Sequence, residues 1–292
     1  MKNFHYFRML RIEDWIKSSF WSSIIGAFLV NALWADIFLI GIIYFCATAY
    51  GFAINNFFDV EIDKKHRGKI KSNKNPLAQN LVTKRGSIIL LGILLLIPVI
   101  LSICLSITGF IFLLLSIFSS TLYSVKYIRL KERPGLDIIS YGFGFCFFPF
   151  LAGVSLSGGV LIFPIIIVGI LLMILSFQGL LFHQIVDYYD DLDNTSNLTL
   201  RIGREKSFIL VFFLILISLL FFELVFSFFS IQYYFHFLII LFLIFSFPIR
   251  LINQFYKEKI KNTLIERLLL PDVIYENKIR VYQKKIKRIF FE

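Results

Sequence analysis

Cysteine is scarce in this chain, and so is histidine. There are 3 cysteines in 292 residues, Cys46, Cys104 and Cys146, each inside an apolar stretch. Odd in number and scattered, they exclude a disulfide framework and offer no metal-ligand spacing. Their plain reading is as small apolar packing residues. The 4 histidines, His5, His66, His183 and His236, are too dispersed to build a zinc or two-histidine-one-carboxylate site.

Long polar faces are missing as well. The chain is 58% hydrophobic, and apolar stretches of about 20 residues recur along it, the length that spans ~30 Å of hydrocarbon. That excludes a soluble all-α protein with buried helices. The 36 Phe, alongside abundant Ile, Lys and Asn, fit an AT-rich coding sequence and carry little functional weight.

Cations are absent from every second turn. Lys and Arg occur in the leader up to Lys17, in 64–85, in 126–133, in 201–206 and from Arg250 onward. The turns near Ala35–Asp36, Ser106–Thr108, Ser155–Gly159 and Ser230–Gln232 contain none. In a soluble protein a net charge of +11 would suggest nucleic acid; here its placement is the positive-inside asymmetry. It predicts a multi-pass protein of the cell membrane with both termini and every basic loop in the cytoplasm, hence an even number of spans, and no nucleic-acid partner.

The expected fold is an all-α polytopic membrane bundle of eight spans, at about 17–34, 37–58, 87–105, 108–125, 136–154, 160–182, 207–229 and 232–251. Residues 1–16 are too polar for a signal peptide. With Phe4, Phe7, Leu10 and Trp15 at helical spacing, they read as an interfacial helix on the inner leaflet. Residues 17–251 form the transmembrane domain, and 252–292 a basic cytoplasmic tail.

Against this background, two acidic sets stand out. Asn55, Asp59 and Asp63 are spaced i, i+4, i+8 and form one helical stripe at the cytoplasmic rim of the second span. Asp187 and Asp191 repeat the i, i+4 layout at the end of the sixth, with His183 one turn deeper and Asp190 and Asp193 on neighbouring faces. Both sets end a span on the same side, so both can line one inward-facing cavity. Carboxylate pairs facing each other repel unless something cationic lies between them. Carboxylate and amide oxygens suit a hard cation, and Mg²⁺ usually binds one or two carboxylates together with substrate phosphates. Each set can therefore hold Mg²⁺ that bridges to a diphosphate, with Asn55, Asp59, Asp63, Asp187 and Asp191 as the candidate metal set. The alternative is a pair of solvated helix ends with ordinary acidic residues.

These residues resemble the UbiA superfamily of intramembrane prenyltransferases. The family's first motif, Asn-Asp-x-x-Asp-x-x-x-Asp closing the second helix, stands here as Asn55-Asn56-Phe57-Phe58-Asp59-Val60-Glu61-Ile62-Asp63. Its second, Asp-x-x-x-Asp closing the sixth, stands as Asp187-Tyr188-Tyr189-Asp190-Asp191. "NPLA" at 75–78 and "YSVKYIRLKERPGLD" at 123–137 resemble two further family segments. There are departures. Asn56 occupies the usual Asp position, no Gly follows the second motif, and the family commonly has nine helices.

The resemblance implies transfer of an isoprenyl group from an allylic prenyl diphosphate to a small-molecule or lipid acceptor, with Asp59, Asp63, Asp187 and Asp191 catalytic and Mg²⁺ as cofactor. Candidate diphosphate partners are Arg129 and Lys131, which belong to the family-like segment, with Lys64, Lys74, Lys126 and Arg201 beside them; each also serves the positive-inside rule. Tyr123 and Asp137 could position or deprotonate the acceptor, although Asp137 also begins a span, where a plain helix N-terminal role is open. Other readings are phosphoribosyl transfer to a polyprenyl phosphate in the same fold, a transporter, and a non-catalytic membrane scaffold. A transporter would carry its charges at mid-bilayer in broken helices; here they cluster at the rim, with no obvious inverted repeat.

Overall fold

The computed structural model describes residues 2–16, 20–64, 74–191 and 195–229, with side chains for all of these except 2–4 and 189–190. They fall in one compact unit, Met1–Gln232. The expected eighth span, 232–251, and the tail, 252–292, lie outside the described residues.

All regular structure among the described residues is helical. The leader forms α1 (Lys2–Met9) and α2 (Ile12–Trp15), followed by α3 (Trp21–Leu29), α4 (Trp34–Phe58) and α5 (Val60–Asp63). Next come α6 (Lys84–Leu105), α7 (Ile107–Ser124), a 3₁₀ turn (Leu130–Glu132), α8 (Leu136–Gly142), a π turn (Phe143–Phe147) and α9 (Phe148–Leu156). The last are α10 (Phe163–Val186), α11 (Tyr188–Asp191), α12 (Leu198–Ile202) and α13 (Arg204–Phe229).

Six of these helical stretches are long and apolar enough to cross a membrane: α4, α6, α7, the continuous stretch Leu136–Leu156, α10 and α13. They correspond to the second through seventh expected spans. The first expected span, 17–34, is shorter than read. Its described helix has 9 residues, about 14 Å at 1.5 Å per residue. Asn31, at φ 55, takes the left-handed conformation that stops the helix and turns the chain toward α4.

Local chemistry sets several helix starts. The side chain of Thr83 accepts from the Gly86 N–H at 3.1 Å and caps α6. Ser106 does the same for α7, accepting from the Gly109 N–H at 3.3 Å.

The bundle is centred on α4, which packs against α3, α6 and α7. Its Ile40, Ile43, Tyr44, Ala49 and Ala53 meet Ile24 and Ala27 of α3, Leu113 and Ile117 of α7, and Ala152 of α9. In a bilayer the lipid is as apolar as the side chains, so helices associate through close packing and polar ties. The crossing of α3 with α9 shows this. A Cβ on Gly153 would lie 2.0 Å from the Ser23 carbonyl oxygen, and one on Gly26 would lie 2.3 Å from that of Phe150. The two backbones touch there, and only glycine permits it. Hydroxyls supply further ties. Ser116 Oγ donates to the Gly144 carbonyl at 2.6 Å and Ser119 Oγ to the Ser140 carbonyl at 2.9 Å. Gly144 lies in the π turn, where the regular helical ladder is interrupted and the backbone takes partners from a neighbouring helix.

The leader is tucked into the end of the bundle. Met9 and Trp15 are fully buried, and Trp15 Nε1 donates to the Leu10 carbonyl at 2.6 Å. Tyr6 pairs with Thr83 at 3.2 Å, fastening α1 to the start of α6.

Candidate active site

The two acidic sets share one backbone design. Helix α4 ends at Asp59, at φ −90 and ψ 3, and the chain restarts as the single turn α5, which ends at Asp63. Helix α10 ends at Asp187, at φ −84 and ψ 4, and restarts as α11, which ends at Asp191. Continuous helix is expected from the sequence at both places. The structure instead breaks each helix at its first aspartate, in the sparsely populated bridge region. The i, i+4 register survives the break, because the Asp63 N–H reaches the Asp59 carbonyl at 2.8 Å and the Asp191 N–H that of Asp187 at 2.9 Å.

Around the first set, the loop between α7 and α8 closes over Asp59. Arg129 Nη2 donates to one carboxylate oxygen at 2.8 Å, and Lys131 Nζ donates to the other. Lys131 also donates to Asn55 Oδ1 at 2.6 Å, and Ser124 Oγ donates to the same oxygen at 3.3 Å. Asp59 is only 3% exposed. Burial works against the charged guanidinium of Arg129, but Glu132, 2.6 Å from its Nε, and the Asp59 charge outweigh this and hold its pKa above the usual arginine value. Arg129 itself sits at φ 45, a strained backbone for a non-glycine residue.

Asp63, also 3% exposed, has a different partner, accepting from Asn75 Nδ2 at 2.8 Å. Asn75 also donates to the Asn56 carbonyl at 2.8 Å, and its Oδ1 accepts from the Leu77 and Ala78 N–H groups. The "NPLA" segment is thereby folded back onto the first motif. Asn56 faces elsewhere. Its amide donates to the Met9 carbonyl at 3.3 Å and the Lys74 carbonyl at 3.1 Å, fastening the leader to α4.

The second set is more open. His183 Nδ1 lies 2.9 Å from Asp187 Oδ2, with side-chain exposures of 69% and 41%. Asn197 Nδ2 is 3.5 Å from Asp191 Oδ2, a long contact. The segment that covers Asp59 runs on into Asp137, which accepts from Gln184 beside Asp187, so the two sets share one end of the bundle.

The remaining candidates divide. Tyr123 packs against Tyr141 and Phe145, with ring centroids 6.2 and 6.4 Å away. Lys64 is turned to Glu61 at 2.8 Å and Lys74 to Asp14 at 3.0 Å. Lys126 and Arg201 are exposed. Asp137 is fully buried, with three donors on its carboxylate. The side chain of Asp190 and all of Asp193 lie outside the described residues. Sequence reasoning missed Ser124 and Asn75 as partners of the stripe, although each sits in a family-like segment. It also missed Arg11, whose guanidinium lies 5.5 Å from the Phe52 ring.

Chemically, the arrangement is a set of oxygen donors, largely buried at Asn55, Asp59 and Asp63, whose central carboxylate already holds two cations. Among the described residues, no three His, Cys, Asp or Glu side chains are gathered closely enough to hold a metal ion alone. Oxygens of this kind fit a hard cation that completes its shell with substrate phosphate oxygens.

Solved structures share this fold. A UbiA homologue from Archaeoglobus fulgidus bound to DMAPP and Mg²⁺ superposes with a TM-score of 0.70, at 20% identity over 86% of each chain. A digeranylgeranylglyceryl phosphate synthase gives 0.65 at 20% identity, covering 99% of this chain and 95% of that one. A UbiA homologue from Aeropyrum pernix K1 gives 0.64 at 15% identity over 82% and 90%. No curated protein matches in sequence. The model of the UbiA prenyltransferase family matches residues 19–270, a stretch that takes in both acidic sets and the cationic loop between them. With most of its length matched, this membrane-embedded chain belongs to the UbiA prenyltransferase family.

Proposed function

We propose that this enzyme transfers an isoprenyl group from an allylic prenyl diphosphate to a small-molecule or lipid acceptor, in a Mg²⁺-dependent reaction on the cytoplasmic face of the membrane. The observation that carries the reading is the closure of Arg129 and Lys131 onto Asp59 and Asn55. A carboxylate, an amide oxygen and two cations meet at one largely buried point, a combination that supports binding of a metal diphosphate. Relatives support it: A. fulgidus UbiA homologues are bound to GPP and to DMAPP, each with Mg²⁺.

Asn55, Asp59 and Asp63 on one side, and Asp187 and Asp191 on the other, would hold the metal through carboxylate and amide oxygens. Bound there, Mg²⁺ supplies Lewis-acid stabilisation of the leaving diphosphate. In this reading Arg129 and Lys131 exchange Asp59 for diphosphate oxygens and meet the charge that develops as the C–O bond breaks. The electron pair leaves with the diphosphate. The allylic carbon becomes cationic, bonds to the acceptor nucleophile, and the acceptor releases a proton.

Aromatic side chains stand beside the stripe. Phe52 on α4 meets Phe145 at 5.6 Å, and Phe145 meets Tyr141 at 4.9 Å. Gly51 makes room for this group, since a Cβ there would lie 3.0 Å from the Phe145 ring. Aromatic faces stabilise a carbocation without trapping it, and an apolar wall accepts a hydrocarbon tail while excluding water.

The test is Mg²⁺-dependent diphosphate release by purified protein, with membrane extract as the acceptor source, compared across geranylgeranyl, farnesyl and phosphoribosyl diphosphates. Release is expected from the allylic donors, and Asp59→Asn or Asp187→Asn should each lower it by roughly 10²–10³-fold or more. Release from the phosphoribosyl donor alone would overturn the choice of donor. Near-normal turnover in either variant would remove that aspartate from the metal set.

A further inference from the structure

We infer that Asp137 is a positioning residue for the second carboxylate pair, aligning Asp187 and Asp191 through Gln184 and the turn at 197–199; this rests on the proposed Mg²⁺-diphosphate reading of that pair. Asp137 is fully buried, in the first turn of α8. Its Oδ1 accepts from the Gly135 N–H at 2.7 Å. Its Oδ2 accepts from Gln184 Nε2 at 2.8 Å and from the Leu198 N–H at 2.9 Å.

Two of these three donors belong to distant parts of the chain, so Asp137 is more than a local cap. Gln184 stands on α10, three residues before the break at Asp187. Its Oε1 accepts from the Thr199 hydroxyl at 3.0 Å and the Thr199 N–H at 3.3 Å. Leu198 follows Asn197, whose side chain caps α12 at 2.8 Å and points its amide at Asp191. Asp137 therefore clamps both strokes of the second motif, the helix that delivers Asp187 and the returning turn that contacts Asp191.

The clamp is also joined to the first set. Arg129 and Lys131, which hold Asp59, lie in the same loop, and the 3₁₀ turn carrying Lys131 packs against α8. One short segment thus reaches both acidic sets, with cations for the first and a buried carboxylate for the scaffold of the second. A carboxylate suits this place because it is acceptor-only, and all of its neighbours here are donors. Its burial and its three donors suit it to orienting its neighbours.

The experiment measures Mn²⁺ binding to the full-length chain in detergent, by electron paramagnetic resonance, with inorganic pyrophosphate present. Asp137→Asn keeps the shape but turns a donor toward donors. It should weaken Mn²⁺ binding about 10–100-fold, as loss of a partner behind a metal ligand does. The apparent KM for Mg²⁺ should rise while kcat recovers at high Mg²⁺. Adding Gln184→Glu lets the introduced amide donate to the introduced carboxylate, and should restore part of the affinity at unchanged net charge. If Asp137→Asn does not fold, Thr199→Val removes only one hydroxyl from the network and should still weaken Mn²⁺ several-fold. Unchanged Mn²⁺ affinity in the variant that folds, with thermal stability lowered, would mean a purely structural role and overturn the inference. So would a fall in kcat that excess Mg²⁺ does not restore. No Mn²⁺ binding by the unaltered protein would instead overturn the metal reading beneath it.

Discussion

Asn56 takes the place of an acidic residue common in the family, and its surroundings account for the exchange. The side chain is 1% exposed and donates to the carbonyls of Met9 and Lys74. A carboxylate there could donate to neither. Asn56→Asp should therefore leave the buried Met9 carbonyl and the part-buried Lys74 carbonyl without this donor and add a buried charge, costing about 1–3 kcal/mol for the buried unsatisfied group. A lowered unfolding midpoint in detergent, with no gain in turnover, is the expected result; improved turnover at equal stability would place residue 56 in the metal set. The acidic spacing was legible in the sequence because two sets with the same i, i+4 layout end spans on the same side. The partners were not. Asn75, Ser124 and Asp137 meet their targets through contacts 12, 69 and 47 or more residues apart along the chain, which no local pattern encodes.

Helix ends carry most of what is specific here. Both acidic helices stop at an aspartate and resume for one turn, so each second carboxylate hangs from a short segment that its own hydrogen bonds barely hold. Tertiary clamps supply the rest: Asn75 under Asp63, and the Asp137 network near Asp191. The leader is held in a comparable way. Asp14 pairs with Arg11 at 2.6 Å and with Lys74 at 3.0 Å. Burial works to raise the Asp14 carboxyl, but Arg11 and Lys74 outweigh it and hold its pKa below the usual carboxylate value. A carboxyl lowered by folding stabilises fully above its unfolded pKa of about 4, and the contribution is lost as pH falls through the lower folded value. Acidification through that window should loosen the leader. Trp15 emission, recorded with Trp21 and Trp34 replaced by Phe, should shift toward the red below pH ~4, and Asp14→Asn should abolish the step. A step of equal size in that variant would assign it to another group.

Taken whole, the molecule follows its hydropathy closely for the six central spans and less well at the N-terminal end. Long apolar runs read clearly because nothing but a bilayer requires them. The first span misled because the run continues past Leu29, while Asn31 turns the backbone, a choice made by φ and not by hydrophobicity. In the leader, Met9 and Trp15 are buried in protein while Phe7 is 64% exposed, a face left for a lipid surface. The positive-inside pattern predicts that the basic loops and the tail share the cytoplasmic side. Single cysteines at Ser72, Asn197 and Asn277, with native cysteines replaced, should resist an impermeant thiol reagent in intact cells. Labelling at Asn277 from outside would require an odd number of crossings. The contact of α3 with α9 bears on traffic in the membrane plane. At Gly26 and Gly153 the separation is smaller than a single methyl group would need, and therefore narrower than a methylene chain. That seam is sealed, so a lipid tail sliding sideways into the bundle must pass between other helices.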